Sequence, residues 1–483
     1  MHDEVGVTPA ARTVAMCMAF YPRGGSAQVA RYLVRALEAG GHWHPRLATG
    51  SLGDPGDHGH AGTFYAGIDL APASYDDAVE RWTRGSDPMD APFPMHASFE
   101  PREGVPDRVV TSLHPAQGEH AADAWATHLR THATLIDADV AHVHHLTPLH
   151  EAVRVVAPDL PIVTHLHGTE LKLLEAIDRG ALAGADGLHG GWWRERMGAW
   201  ARASSRIVVV SPADRTRAID LLDLDETLVQ QVPNGVDIAR FTPRDLSQDE
   251  RLAHWHEWLV ADPQGWMESD PSPGSISYTA SDLHAFADSP VLLYVGRFLG
   301  FKRVPLLIRA YARARSEHGV RAPLVIWGGA PGEFEGEHPH SVAQQLGAEG
   351  VFFAGWRGHD DLPLGLGCAD VLVAPSTDEP FGQVYLEAMA CGLPVIGTQS
   401  GGPPSFVNVE RDALDGWLVP PDDEAALARA IADSVRHEDV RRARGAHGLA
   451  HARSGYAWGR LAKRFGAIYD AAADSGPLPL PRT

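Results

Sequence analysis

The stretch ADVLVAPSTDEPFGQVYLEAMACGLPVIGTQSGGPPS, residues 369–405, decides the fold. An apolar run without alternation, DVLVAPS (370–376), leads into a polar loop holding Glu379. A helical pattern over Gln383–Cys391 follows, then a second apolar run, LPVIGT (393–398). Runs of this kind suit strands buried on both faces, and a helix between two of them makes a βαβ unit of a parallel sheet. Outward from this segment the rhythm repeats. In the second half it gives PVLLYVG (290–296), PLVIWGG (323–329) and VFFAG (351–355). In the first half it gives TVAMCMAF (13–20), DVAHVHH (139–145), PIVTHLH (161–167) and RIVVVS (206–211). Helical patterns lie between, as at Ala27–Ala39 and Pro305–Glu317. Two doubly wound, Rossmann-like α/β domains facing a cleft explain the pattern most simply.

The chain has 483 residues, enough for about three folding units, or two large ones with an insertion. The expected organisation is an N-terminal α/β domain over 1–246, with a loop-rich insertion at 51–120. An inter-domain linker with its own short helix spans 247–288 and contains PSPGS. A C-terminal α/β domain covers 289–455, followed by a terminal helix and tail, 456–483. A net charge of −21, from 41 basic and 62 acidic residues, argues against nucleic acid and against an anionic membrane as main partner. Cys17, Cys368 and Cys391 have neither disulfide nor zinc-ligand spacing. With no signal-peptide pattern at the N-terminus and no apolar run of about 20 residues, the expected location is the cytoplasm.

Four constellations carry chemistry. In the first, Glu379 and Glu387 stand eight apart, on a loop and on the helix after it. Eight helical residues span about 12 Å, comparable to the separation of a sugar ring and a ribose in one sugar nucleotide. One glutamate can hold sugar hydroxyls and the other ribose hydroxyls, while the helix start between them faces a diphosphate. In the second, VLLYVGRFLGFKRVPLLIRAYARA (291–314), Arg297 and Lys302 lie just beyond a strand's C-terminal edge. There they can neutralise a departing diphosphate in place of Mg²⁺; Arg303 reads as an ordinary surface residue.

The third constellation is the first βα turn, AFYPRGGSAQVARYLVRAL (19–37). Gly24 and Gly25 let backbone approach a ligand, and Ser26 is expected to cap the helix. The turn lacks GxGxxG, which disfavours a nicotinamide dehydrogenase. The fourth is PIVTHLHGTELKLLE (161–175), where His167 closes a strand ahead of Gly168, Thr169 and Glu170. His142 and His144 share one strand face, but no carboxylate stands at ligand spacing, so no metal site is expected.

Read in order, these segments resemble the retaining glycosyltransferases of family 4, which have the GT-B fold. The likeness rests on the GG loop (24–25), HGTE (167–170), VVSPADR (209–215), PNGVDIARFTP (233–243), GRFLGFK (296–302), the pair Glu379 and Glu387, GG-x-P (401–404) and GWLVPPDDEAALARAI (416–431). The resemblance implies that Glu379 contacts donor-sugar hydroxyls and Glu387 the ribose. It further implies that Arg297 and Lys302 hold the diphosphate, with the backbone of Phe381, Gly382 and Gln383 close to sugar and phosphates. His167 would touch the donor sugar, Gly25 would close over the diphosphate, and Asn234 would line the cleft floor. His167, Arg297, Lys302 and Glu379 form the expected catalytic set; Gly24, His145 and Thr169 are assigned to the acceptor.

The implied reaction is metal-independent transfer with retention of a hexose-type sugar, such as N-acetylglucosamine, to a small soluble acceptor in thiol or secondary metabolism. The donor is a nucleoside-diphosphate sugar, UDP preferred over GDP, with no further cofactor; a homodimer is compatible. Two departures stand out: Ser405 replaces the glutamate usual after GG-x-P, and the insertions at 51–120 and 247–288 are long. Two other functions share the architecture: a sugar-nucleotide epimerase or phosphorylase, which needs no acceptor, and a binding protein that has lost catalysis.

Overall fold

The computed structural model describes residues 11–102, 104–409 and 414–478. It divides into two compact units, residues 1–234 with 458–483, and residues 235–457.

The first unit is built on a seven-stranded parallel sheet. Its strands are β1 (Arg12–Met18), β2 (Trp43–Ser51), β3 (Leu70–Ser74), β4 (Val140–His144), β5 (Ile162–His165), β6 (Arg206–Val209) and β7 (Val229–Gln231), in the order β3-β2-β1-β4-β5-β6-β7. The central strands are buried on both faces, as their Val, Ile and Ala runs require. One face packs on the helix Gly24–Gly40 and on the helix Trp458–Ser475, through Leu33, Leu37, Leu461, Phe465 and Tyr469.

The second unit holds a six-stranded parallel sheet. Strands β8 (Leu292–Val295), β9 (Leu324–Trp327), β10 (Val351–Gly355), β11 (Val371–Val373), β12 (Val395–Thr398) and β13 (Gly416–Val419) lie in the order β10-β9-β8-β11-β12-β13. In each sheet the strand order reverses once, between β1 and β4 and between β8 and β11. Outside the carboxyl ends of strands at such a reversal, the connecting loops diverge and leave room for a ligand.

Several expectations need correcting. The segment 51–120 is not chiefly loop: it supplies edge strand β3, the helix Asp76–Thr83 and short helical turns at Pro88–Asp90 and Val110–Ser112. Its Tyr75 is fully buried and donates to the Ala19 carbonyl at 2.6 Å. Strands β2, β3, β7 and β13 lie outside the apolar runs of the sequence; three of them lie at sheet edges, where one-sided burial weakens the apolar signal. The division between units falls after Asn234, not at 246, and again before Trp458.

The segment 247–288 belongs to the second unit and is not a linker. Its helix Gln248–His256, capped reciprocally by Ser247 and Glu250, places Trp255 to donate to the Cys368 carbonyl at 3.1 Å. Tyr278 accepts the Phe353 N–H at 2.9 Å. The segment therefore covers edge strand β10, whose free backbone groups would otherwise invite pairing. Ser26 does not cap the helix Gly24–Gly40, which starts two residues earlier, after Arg23, without a side-chain cap.

Candidate functional site

In the second unit, the residues singled out from the sequence gather where β8 and β11 end. Arg297 follows β8 directly. Its side chain is 47% exposed, and its guanidinium lies 3.2 Å from Glu333 Oε1. Lys302 sits on the turn Gly300–Lys302, and its Nζ donates to Glu379 Oε2 at 2.5 Å. Arg303 turns away to pair with Asp422. Glu379, on the loop after β11, is only 8% exposed, so an ammonium at hydrogen-bond distance offsets much of its desolvation.

The loop then enters the helix Gln383–Ala390 through Gly382, at φ 92°. A Cβ on Gly382 would stand 2.8 Å from the Tyr385 ring, so the position needs glycine on both counts. No side chain caps this helix start, which leaves backbone N–H groups there for an anion. The Gln383 amide is buried without a partner on either its oxygen or its nitrogen. One turn on, Glu387 is 3% exposed and its Oε1 lies 2.9 Å from His359 Nε2.

The GG-x-P segment braces this loop. A Cβ on Gly401, at φ 68°, would lie 2.3 Å from the Glu379 carbonyl oxygen, and the Gly402 N–H donates to that oxygen at 2.7 Å. Ser405, in place of the expected glutamate, closes a turn by donating to the Gly402 carbonyl at 2.6 Å.

In the first unit a second group gathers where β1, β4 and β5 end. Gly24 has φ 71°, and a Cβ on Gly25 would meet nothing within 4 Å. Next to them Arg23 pairs with the buried Asp107 at 3.0 Å. His145 follows β4 in a left-handed conformation, φ 61°, with its Nδ1 3.3 Å from Glu170 Oε2. The Thr169 hydroxyl donates to the same oxygen at 3.2 Å, and the His167 N–H donates to Glu170 Oε1 at 2.9 Å. Burial pushes the Glu170 carboxyl up, but His145 and the His167 N–H together outweigh it, and its pKa lies below the ordinary value. Glu170 therefore acts as an ionised brace for both histidines.

His167 is half-buried, and its Nε2 lies 3.0 Å from His144 Nδ1. Burial, reinforced by neighbouring histidines, holds the His167 ring well below the usual histidine range. Asn234, the last residue of this unit, is buried with Oδ1 unpartnered.

The structure thus groups Arg297, Lys302, Glu379, Gly382, Gln383 and Glu387 in one unit, and Gly24, Gly25, His145, His167, Thr169 and Asn234 in the other. Sequence reasoning missed His359, whose loop after β10 carries no motif, and the Arg23–Asp107 pair, which spans 84 residues. It also expected no ligand partner for His142 and His144. Yet His165 stands directly opposite His144 on the adjacent strand.

Two doubly wound parallel units, the second with cations, buried glutamates and an uncapped helix start at its strand-order reversal, define the GT-B class of architecture. Residues 23–240 match the model of glycosyltransferase family 4, and residues 280–449 that of glycosyl transferases group 1. A D-inositol 3-phosphate glycosyltransferase from Salinispora arenicola is 32% identical over 283 residues, 57% of this chain and 56% of that protein. The chain spans about half the length of the first curated relatives it matches. Among solved structures, sucrose-phosphate synthase from Thermosynechococcus elongatus is similar with a TM-score of 0.67 at 20% identity, covering 96% of this chain and all of that one. HepE of Anabaena, in complex with UDP and glucose, has a TM-score of 0.63 at 17% identity, covering 95% and 99%. The chain belongs to the family-4-like glycosyltransferases of GT-B fold. Among the described residues no helix is long and apolar enough to cross a membrane.

Proposed function

We propose that this protein transfers a hexose-type sugar, with retention of anomeric configuration, from a nucleoside-diphosphate sugar to a small acceptor in the cytoplasm. The observation that carries the proposal is the group at the ends of β8 and β11: Arg297, Lys302, Glu379, the helix start at Gly382 and Gln383, and Glu387 on that helix. Arg297 and Lys302 neutralise the diphosphate as it departs, which removes the need for a metal ion there. The helix start adds its N–H groups and dipole. Glu379 orients the sugar through its hydroxyls, and Glu387 holds the ribose. The Gln383 amide, unpaired and buried, is free for a polar group of the donor.

On the retaining path the bond from the anomeric carbon to the diphosphate breaks first. The leaving phosphate oxygen then takes the proton from the acceptor hydroxyl, and the acceptor oxygen bonds to the same face of the sugar. No enzymic nucleophile is consumed. His167, Gly25 and Asn234 as donor contacts, with Gly24, His145 and Thr169 as acceptor contacts, complete the proposal. UDP as the nucleotide is supported by the complex of HepE with UDP and glucose, and a small polar acceptor by the inositol-phosphate transferase relative.

The test is a thermal-shift panel of UDP-, GDP- and dTDP-sugars, followed by transfer assays and NMR assignment of the product anomer. Inversion, absolute dependence on Mg²⁺, or turnover of donor into an epimer without acceptor would each refute the proposal.

A further inference from the structure

Beneath the strand ends of the first unit lies a cluster of histidines that the proposed transfer does not use. His142 and His144 point from one face of β4, and His165, paired in register with His144, points from the same face of β5. All three are at most 1% exposed, and one ring nitrogen from each lies within 4.8 Å of the other two. His142 Nε2, His144 Nε2 and both nitrogens of His165 have no hydrogen-bond partner. Buried polar atoms left without partners are destabilising, so a cluster of four invites a ligand.

The surroundings prepare these nitrogens. His142 Nδ1 lies 2.7 Å from the Tyr469 hydroxyl, on the helix Trp458–Ser475, and His144 Nδ1 lies 3.0 Å from His167 Nε2. When each Nδ1 carries the proton and donates across these contacts, both Nε2 lone pairs are free. A partner on the far nitrogen is what orients a metal-bound imidazole and fixes its tautomer. We propose that His142, His144 and His165 bind one late first-row divalent cation of the zinc class, which ties β4 and β5 to the helix Trp458–Ser475.

A three-imidazole donor set without a carboxylate suits zinc, copper or nickel over magnesium or calcium. At Zn–N distances of about 2.0–2.1 Å, tetrahedral ligand atoms stand about 3.4 Å apart. The rings of His142 and His144, now stacked 14° from parallel with centroids 4.5 Å apart, must turn toward a common point to close that gap. Water completes the coordination sphere. The ion belongs to the first unit and has no part in neutralising the diphosphate.

Full-length, untagged protein would be loaded with Zn²⁺, dialysed against metal-free buffer and measured by plasma mass spectrometry. About one equivalent is expected to remain, with Co²⁺ giving the visible bands of a tetrahedral site and chelation lowering the melting temperature. The conservative variants His144→Gln and His165→Gln should each lose the ion and the cobalt spectrum while keeping the parent circular dichroism. His42→Ala with His44→Ala, both surface histidines, should keep it. Retention below about 0.1 equivalent by the parent, retention of the ion by both cluster variants, or its loss in the surface variant would overturn the assignment. If the glutamine variants do not fold, the cobalt spectrum of the parent decides alone: octahedral bands, or none, reject the site.

Discussion

Lys302→Ala separates the two roles that its short contact to Glu379 combines. The pair is mostly shielded, with 18% of the Lys302 side chain and 10% of the Glu379 side chain exposed. Removing the ammonium strands a carboxylate among few solvent molecules, which should destabilise the second unit by about 1–3 kcal/mol. It also removes a cation proposed to meet the departing diphosphate, a contact of the kind worth about 3–4 kcal/mol, or roughly 10²–10³-fold in kcat. Adding Glu379→Gln relieves the first loss, because a neutral amide needs no counter-charge, but leaves the second in place. The double variant should therefore recover much of its urea midpoint and none of its turnover. Denaturant titration monitored by tryptophan fluorescence reads the first effect, and steady-state release of nucleoside diphosphate reads the second. Turnover by Lys302→Ala within about threefold of parent, under 1 kcal/mol of barrier, would refute the diphosphate assignment.

Three further outcomes are expected. Glu387→Gln should raise the donor KM more than it lowers kcat, since a ribose contact is equally strong in ground and transition states; initial-rate kinetics over donor concentration check this. Gly401→Ala forces a Cβ to 2.3 Å from the Glu379 carbonyl oxygen, at a backbone φ of 68°. It should cost about 1–3 kcal/mol of stability and displace Glu379, so both melting temperature and kcat fall. His150 is buried between the Thr147 carbonyl and the Thr164 hydroxyl, each at 2.9 Å, and burial lowers its pKa to about 4. Because its folded pKa lies below the unfolded value near 6.5, its contribution is complete above pH 6.5 and is lost as pH falls towards 4. The difference of about 2.5 units corresponds to about 3 kcal/mol. The loss of stability between pH 6.5 and 4 should be shallower by that amount in His150→Gln, as measured by denaturant midpoints.

Much of this architecture is written locally. Strand VFFAG runs over Val351–Gly355 as expected, and the helix at Gln383 begins where the glycine before it allows. The helix Trp458–Ser475 falls in the terminal stretch that the family resemblance implies is helical. The boundary after Asn234 is faint in the sequence because no proline or glycine cluster marks it more strongly than PSPGS at 271–275, which lies inside the second unit. The segments 51–120 and 247–288 look like loop because they cover sheet edges, and covering segments are turn-rich and patchily apolar.

The sequence by itself determined the two parallel sheets and the residues that stand at their strand ends. Burial on both faces imposes continuous apolar runs, and glycine, glutamate and cation spacing within one loop is a property of neighbours in the chain. Only the tertiary structure decided which distant side chains meet: His359 with Glu387, Lys302 with Glu379, Arg23 with Asp107, and His165 with His142 and His144. Such pairings join residues that different crossovers bring to one sheet end, and no local periodicity records that adjacency.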